Sequence, residues 1–224
     1  MLTELAPTQR LTYPNRAYLR TKRLLDISFT LLILLPLCLV IAIIATVICL
    51  DSKGPIFFRQ KRVGLNGKTF EMYKFRSMYD KCDESFHRQA IARYLANERL
   101  NRGAETTQYK QVDDPRITRV GQFLRKKSLD ELPQFFNVLR GDMSLVGPRP
   151  PLDYEVALYS EHDRLRLCGK PGLTGIWQVY GRSRVPFAEM VEMDIAYLQQ
   201  QSIWFDLKLI LLTVPVMLFG SGGA

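Results

Sequence analysis

From Ile27 to Leu50 the chain reads ISFTLLILLPLCLVIAIIATVICL, a run without one charged side chain. As a helix it extends about 36 Å, enough to pass through a hydrocarbon core of about 30 Å. A cleaved signal peptide does not fit, because the run starts late, is too long for a signal h-region and ends at ICLDSKG without a small-residue cleavage site. Pro36 lies inside the run. It removes a backbone hydrogen bond and crowds the preceding turn, so a kink is expected there, and each leg alone is too short to cross.

Arg16, Arg20, Lys22 and Arg23 precede the run, and Lys53, Arg59, Lys61, Arg62 and Lys68 follow it. Basic flanks favour the cytosolic face, and here both flanks are basic. A re-entrant helix, bent at Pro36 and entering and leaving by the cytosolic face, satisfies both. A kinked but spanning helix is the alternative that these residues leave open.

With 224 residues, the chain can build one globular domain plus attachments. The net charge of +9 suits an anionic partner such as a phosphate, a phospholipid headgroup or a nucleic acid, without choosing among them. The four cysteines include no C-x-x-C pair, and the two histidines, His87 and His162, lie far apart. Disulfide, zinc and histidine-triad chemistry are therefore not expected.

GPIFFRQKRVGLNGKTFEMYKFRSM reads as short strands around a Gly64 to Gly67 turn. Glu84 to Leu100 and Pro186 to Gln201 carry apolar residues at helical spacing. The C-terminal apolar stretch from Leu207 to Phe219 is interrupted by Lys208 and Pro215, with Trp204 and Phe205 at its entrance, which suits a helix lying at the headgroup level. The expected fold is mainly α with a small β component between residues 55 and 76. Its parts are a basic flank (1–26), a proline-kinked membrane helix (27–50), a compact cytosolic α/β domain (51–206) and a membrane-interfacial segment (207–224).

The chemistry concentrates in DDPRITRVGQFLRKKSLDELPQFFNVLRGDMSLVGPRP, residues 113–150. Ser128 followed by Glu131 is a capping-box pattern, so a helix is expected to start at Ser128 and to place Asp130 and Glu131 in its first turn, where free N–H groups stabilise anions. Such acidic residues often only cap a helix. Here Arg116, Arg119, Arg125, Lys126 and Lys127 lie upstream, and Arg149 is held between Pro148 and Pro150. A carboxylate ringed by cations suits phosphate chemistry, since cations bind a diphosphate donor and a divalent metal lets a carboxylate approach phosphorus. Two other readings remain: an anchored module binding nucleic acid or acidic lipid, and a metal-dependent phosphohydrolase.

The blocks KRLLD, GPIFFRQKRVG, YKFRSM, SLDELPQFFNVLRGDMSLVGPRP and KPGLTGIWQVYGR, in this order, cover nearly the whole chain. In them the chain resembles the monotopic phosphoglycosyl transferases, bacterial sugar transferases of the first membrane step of glycan assembly. The resemblance implies a re-entrant helix broken at Pro36, although Leu35 stands where small members often carry a serine. It implies catalysis by Asp130 and Glu131. Asp130 would be the nucleophile on the sugar-bearing phosphorus of a UDP-sugar, releasing UMP and holding the phosphosugar until polyprenyl (undecaprenyl) phosphate displaces it. It further implies magnesium at Asp130, with Glu131 as a second metal-ligand candidate, and phosphate binding by Lys74, Arg125 and Arg149. The implied setting is the cytoplasmic face of the bacterial inner membrane, in exopolysaccharide, O-antigen or glycoconjugate synthesis, with membrane lipids and no nucleic acid as partners. The sugar is not given by the sequence, and a homodimer stays open.

Overall fold

The computed structural model describes residues 14–80, 114–181 and 185–219, with side chains to residue 216. The helix expected over Glu84 to Leu100 lies outside the described residues. The rest is mainly helical with two small sheets, the class expected.

Helix α1 runs from Arg16 to Asp51, capped by the Asn15 side chain, which accepts from the Ala17 amide at 3.0 Å. The basic residues before Ile27 are therefore its first turns, and Pro36 lies within it. Lys22, Asp26, Thr30, Leu34, Ile44 and Ile48 form its buried stripe, while Leu32, Leu35, Leu39 and Leu50 point outward. Among the described residues α1 is the one helix long and apolar enough to cross a membrane, and only 17% of its most apolar stretch is buried. A core helix of a soluble protein would be mostly covered.

Both legs of α1 dock on the same globular body. At the N-terminal leg, Lys22 donates to Asp206 at 2.7 Å and Asp26 accepts from the Leu145 amide at 3.0 Å. Arg23 donates to the Leu139 carbonyl at 2.6 Å. At the C-terminal leg, Ile44 and Ile48 pack with Phe75, Leu124 and Leu132.

Strands β1 (Phe57–Val63) and β2 (Thr69–Phe75) form the antiparallel hairpin read from the sequence, with Phe58 opposite Lys74. Its turn uses Asn66 at φ 55° and Gly67 at φ 79°. Helix α2 covers Arg119–Lys126 and α3 covers Gln134–Arg140. Strands β3 (Ser144–Val146) and β4 (Gly172–Thr174) pair in parallel, outside the strand region expected. They approach so closely that a Cβ on Gly172 would sit 2.0 Å from the Gly147 nitrogen. Two short helices, α4 (Asp153–Val156) and α5 (Glu161–Arg164), lead to α6 (Phe187–Gln200), the helix expected over 186–201. Helix α7 (Ile203–Phe219) starts ahead of residue 207 and continues through Lys208 and Pro215. The core is shared: Met72, Val138, Met143, Val146, Tyr197 and Leu209 come from β2, α3, β3, α6, α7 and their connections.

Candidate active site

The helix start expected at Ser128 is not there. Ser128 adopts the left-handed conformation (φ 56°, ψ 20°) without a side-chain cap, and Leu129–Glu131 form a single 3-10 turn. Pro133 explains the difference. A helix begun at Ser128 would require the residue 133 nitrogen to donate to the Leu129 carbonyl, and proline has no N–H. The Leu132 amide donates to that carbonyl instead, at 3.3 Å, and α3 opens after Pro133, where a proline costs nothing. The acidic pair thus sits on a tight turn, not on the first turn of a long helix.

This turn packs against β2, and Asn137 of α3 fixes the two together. Its side chain donates to the Glu71 carbonyl at 2.6 Å and accepts from the Tyr73 amide at 3.0 Å. Lys74, next along β2, donates to Glu131 Oε1 at 2.9 Å. Arg149 approaches the same oxygen at 3.9 Å, with its guanidinium 5.3 Å above the Trp177 ring. Unit charges about 4 Å apart attract by roughly 4 kcal/mol at a surface-type dielectric, before desolvation. Two half-buried cations on one oxygen therefore orient Glu131 far more firmly than one exposed partner would. They face a small, solvent-open cavity whose lining includes Lys74, Glu131, Arg149, Arg62, Gln134 and Gln178.

Arg149 is aimed by an unusual backbone. Pro148, Pro150 and Pro151 have no N–H to donate, so the segment is held through its carbonyls. The Pro148 carbonyl accepts from the Gly172 amide at 2.9 Å and the Pro151 carbonyl from the Val63 amide at 2.9 Å. Between them, the Arg149 carbonyl accepts from Arg166 at 3.2 Å and the Pro150 carbonyl from Arg62 at 2.9 Å. Arg166 is 2% exposed, donates to Tyr159 at 2.9 Å and forms an ion pair with Asp194, itself 1% exposed. Burial pushes the Asp194 carboxyl up to about 6, against the pull of the Arg166 guanidinium.

The profile of the bacterial sugar transferases matches residues 17–220. The chain belongs to this family. It is 43% identical over 217 residues to the galactosyl transferase CpsE of Streptococcus agalactiae, covering 96% of this chain and 46% of that protein. It is 42% identical to the UDP-glucose:undecaprenyl-phosphate glucose-1-phosphate transferase of Escherichia coli, over 86% of this chain and 39% of the relative. The exopolysaccharide production protein ExoY of Sinorhizobium fredii is 38% identical, with 90% of this chain and 87% of ExoY covered. The chain thus spans less than half of CpsE and of the Escherichia coli enzyme, and most of ExoY.

Of the residues expected to serve a bacterial sugar transferase, the fold brings Lys74, Glu131 and Arg149 together. Asp130, on the same turn, is 8% exposed and does not contribute to the cavity lining. Arg125 closes α2 outside the lining, and its charge acts on Asp114. Arg116, expected among the surrounding cations, pairs with Asp114 at 2.7 Å and holds that carboxyl below its usual range. Lys74 and Arg149 thus reach Glu131 from β2 and the proline segment, both distant from it in sequence.

Sequence reasoning missed Arg62, Trp177, Gln134, Gln178 and the Arg166–Asp194 pair. The one available signal was the proline content of residues 148–151, whose carbonyls had to find donors elsewhere. For magnesium, no cluster of three or more Asp, Glu, His or Cys assembles among the described residues. The adjacent carboxylates of Asp130 and Glu131 nevertheless fit in kind, because magnesium takes one or two carboxylates and completes its shell with water and substrate phosphate.

Proposed function

We propose that this chain moves a sugar phosphate from a UDP-sugar to polyprenyl phosphate, releasing UMP. The observation that carries the reading is Glu131 braced between Lys74 and Arg149 at a cavity beside Asp130, in a chain whose family relatives include undecaprenyl-phosphate sugar transferases. Lys74 and Arg149 bind the diphosphate, releasing part of their hold on Glu131 as phosphate oxygens replace it. The Asp130 carboxylate turns into the cavity and attacks the sugar-bearing phosphorus, and the bond from that phosphorus to the bridging oxygen breaks. UMP leaves with that oxygen and its electron pair. A phosphate oxygen of polyprenyl phosphate then attacks the same phosphorus, breaking the acyl-phosphate bond and regenerating the carboxylate. Magnesium, held by Asp130 and Glu131, would neutralise donor phosphate charge. Arg125, at the end of α2, would add a further cation for a donor phosphate.

The membrane arrangement follows from α1. Both of its legs dock on one body, and this supports a helix that bends at Pro36 and returns to the cytoplasmic face of the inner membrane. A straight spanning helix would carry Ile44 and Ile48 away from the body that holds Lys22 and Arg23. The outward Trp204, 82% exposed, with Leu211 and Val214, supports α7 lying at the interface. Cysteines introduced at Arg16 and at Lys53 should both resist an impermeant thiol reagent added outside intact cells; labelling of one alone means a spanning helix.

The function is tested by UMP release from UDP-glucose and UDP-galactose by detergent-solubilised protein. Release should depend on undecaprenyl phosphate for turnover and on magnesium. Sugar phosphate liberated into water as the main product would replace transfer by hydrolysis.

A further inference from the structure

The cavity lining also carries uncharged polar side chains that the phosphate chemistry does not use. Gln134 opens α3 and lines the cavity at 3% exposure, yet its carboxamide makes no hydrogen bond among the described residues. Gln178 lines it from the turn Trp177–Gly181, and its Oε1 is buried without a hydrogen-bond partner among them. The turn that supplies Gln178 also supplies Trp177, the ring under Arg149. A buried carboxamide oxygen left unsatisfied, with a second carboxamide that has no partner among the described residues lining the same cavity, departs from the ordinary rule that buried polar groups are paired. An unmade buried hydrogen bond destabilises a fold, so the unpaired Gln178 oxygen beside a partnerless Gln134 amide points to a group that arrives from outside.

The chemistry of that group can be read from the side chains. Phosphate oxygens only accept, and Lys74 and Arg149 already provide donors for them. A carboxamide presents a donor and an acceptor side by side, whichever way its oxygen and nitrogen are assigned. It matches groups that do both, namely the hydroxyls of a sugar or the imide edge of a uracil. We infer that Gln134 and Gln178 form a carboxamide subsite that hydrogen-bonds the uncharged part of a nucleotide sugar, beside the cations that hold its phosphates. This rests on the donor class proposed above and deepens it, because charge alone cannot separate donors that carry the same diphosphate. Discrimination has to come from neutral hydrogen bonds of this kind.

The test replaces each glutamine by methionine, which keeps the length and removes the hydrogen bonding. Binding of UDP, UDP-glucose and UDP-galactose is measured by titration calorimetry, with UMP release and Tm alongside. Gln134→Met and Gln178→Met should weaken binding of the preferred UDP-sugar roughly ten- to hundredfold. The Tm of Gln178→Met should equal or exceed that of the unsubstituted protein, since it removes an unsatisfied buried amide oxygen, and that of Gln134→Met should be unchanged; a structural role would lower Tm instead. Loss of UDP-sugar affinity with unchanged UDP affinity assigns the subsite to the sugar, and equal loss for both assigns it to the uracil. Unchanged affinities in both variants, with the unsubstituted protein binding and turning over donor, overturn the subsite alone. An unsubstituted protein that neither binds nor turns over any UDP-sugar overturns the donor class and the subsite with it.

Discussion

Replacing Arg166 by methionine removes the one guanidinium that links Asp194, Tyr159 and the Arg149 carbonyl. Asp194 is then left at 1% exposure without its cation. Breaking a buried pair from one side costs roughly 3–5 kcal/mol, which in a chain of this size lowers Tm by about 10 °C. The loss depends on pH in a definite direction. Burial already holds Asp194 near 6, above the ordinary 3.8, and removing Arg166 takes away the attraction that opposes this. A carboxyl raised in the fold favours folding when protonated; its contribution is complete below about pH 4 and is lost as pH rises through the folded value. The variant should therefore lie closest to the unsubstituted protein near pH 5 and furthest from it near pH 8. Adding Asp194→Leu leaves no buried charge in this pair, so most of the Tm returns. Activity does not return, because the Arg149 carbonyl still lacks its donor, and kcat/KM for the UDP-sugar stays at least roughly tenfold down. Thermal scans across pH and UMP-release kinetics decide it. An Arg166→Met protein with an unchanged Tm at pH 8, or a double variant with full kcat/KM, refutes the reasoning.

Arg149→Lys keeps the charge and loses both the fork and the stacking on Trp177, so kcat/KM should fall about ten- to hundredfold in the same assay; full activity would mean that charge alone is needed. Gly172→Ala drives a Cβ into the Gly147 nitrogen and parts β3 from β4, so Tm should fall by several degrees, corresponding to roughly 2 kcal/mol or more; an unchanged Tm would show that the pair relaxes freely.

The elements legible in the sequence were those with long, regular patterns. The uncharged run fixed on α1, the Gly64 to Gly67 turn on the hairpin, and the apolar spacing after Pro186 on α6. The β3–β4 pair was not legible, because three-residue strands carry no alternation and theirs form where glycines let two backbones meet. The false helix start at Ser128 came from weighing the Ser–Glu pattern without asking where the Pro133 nitrogen would bond. In the site, Lys74, Glu131 and Arg149 were found through their motifs, whereas local charge density pointed to Arg116, which pairs with Asp114, and to Arg125, which does not contribute to the cavity lining. Gln134 and Gln178 gave no signal, because an amide becomes conspicuous only once its surroundings leave it unpaired.

The central claim is that Asp130 carries the phosphosugar, and the intact-protein mass tests it most directly. Protein incubated with its UDP-sugar and magnesium, without polyprenyl phosphate, should gain the mass of one phosphosugar and release one equivalent of UMP. The adduct should map to Asp130, disappear on adding polyprenyl phosphate and be absent in Asp130→Asn. Turnover with no adduct at any time and full activity in Asp130→Asn would contradict the account.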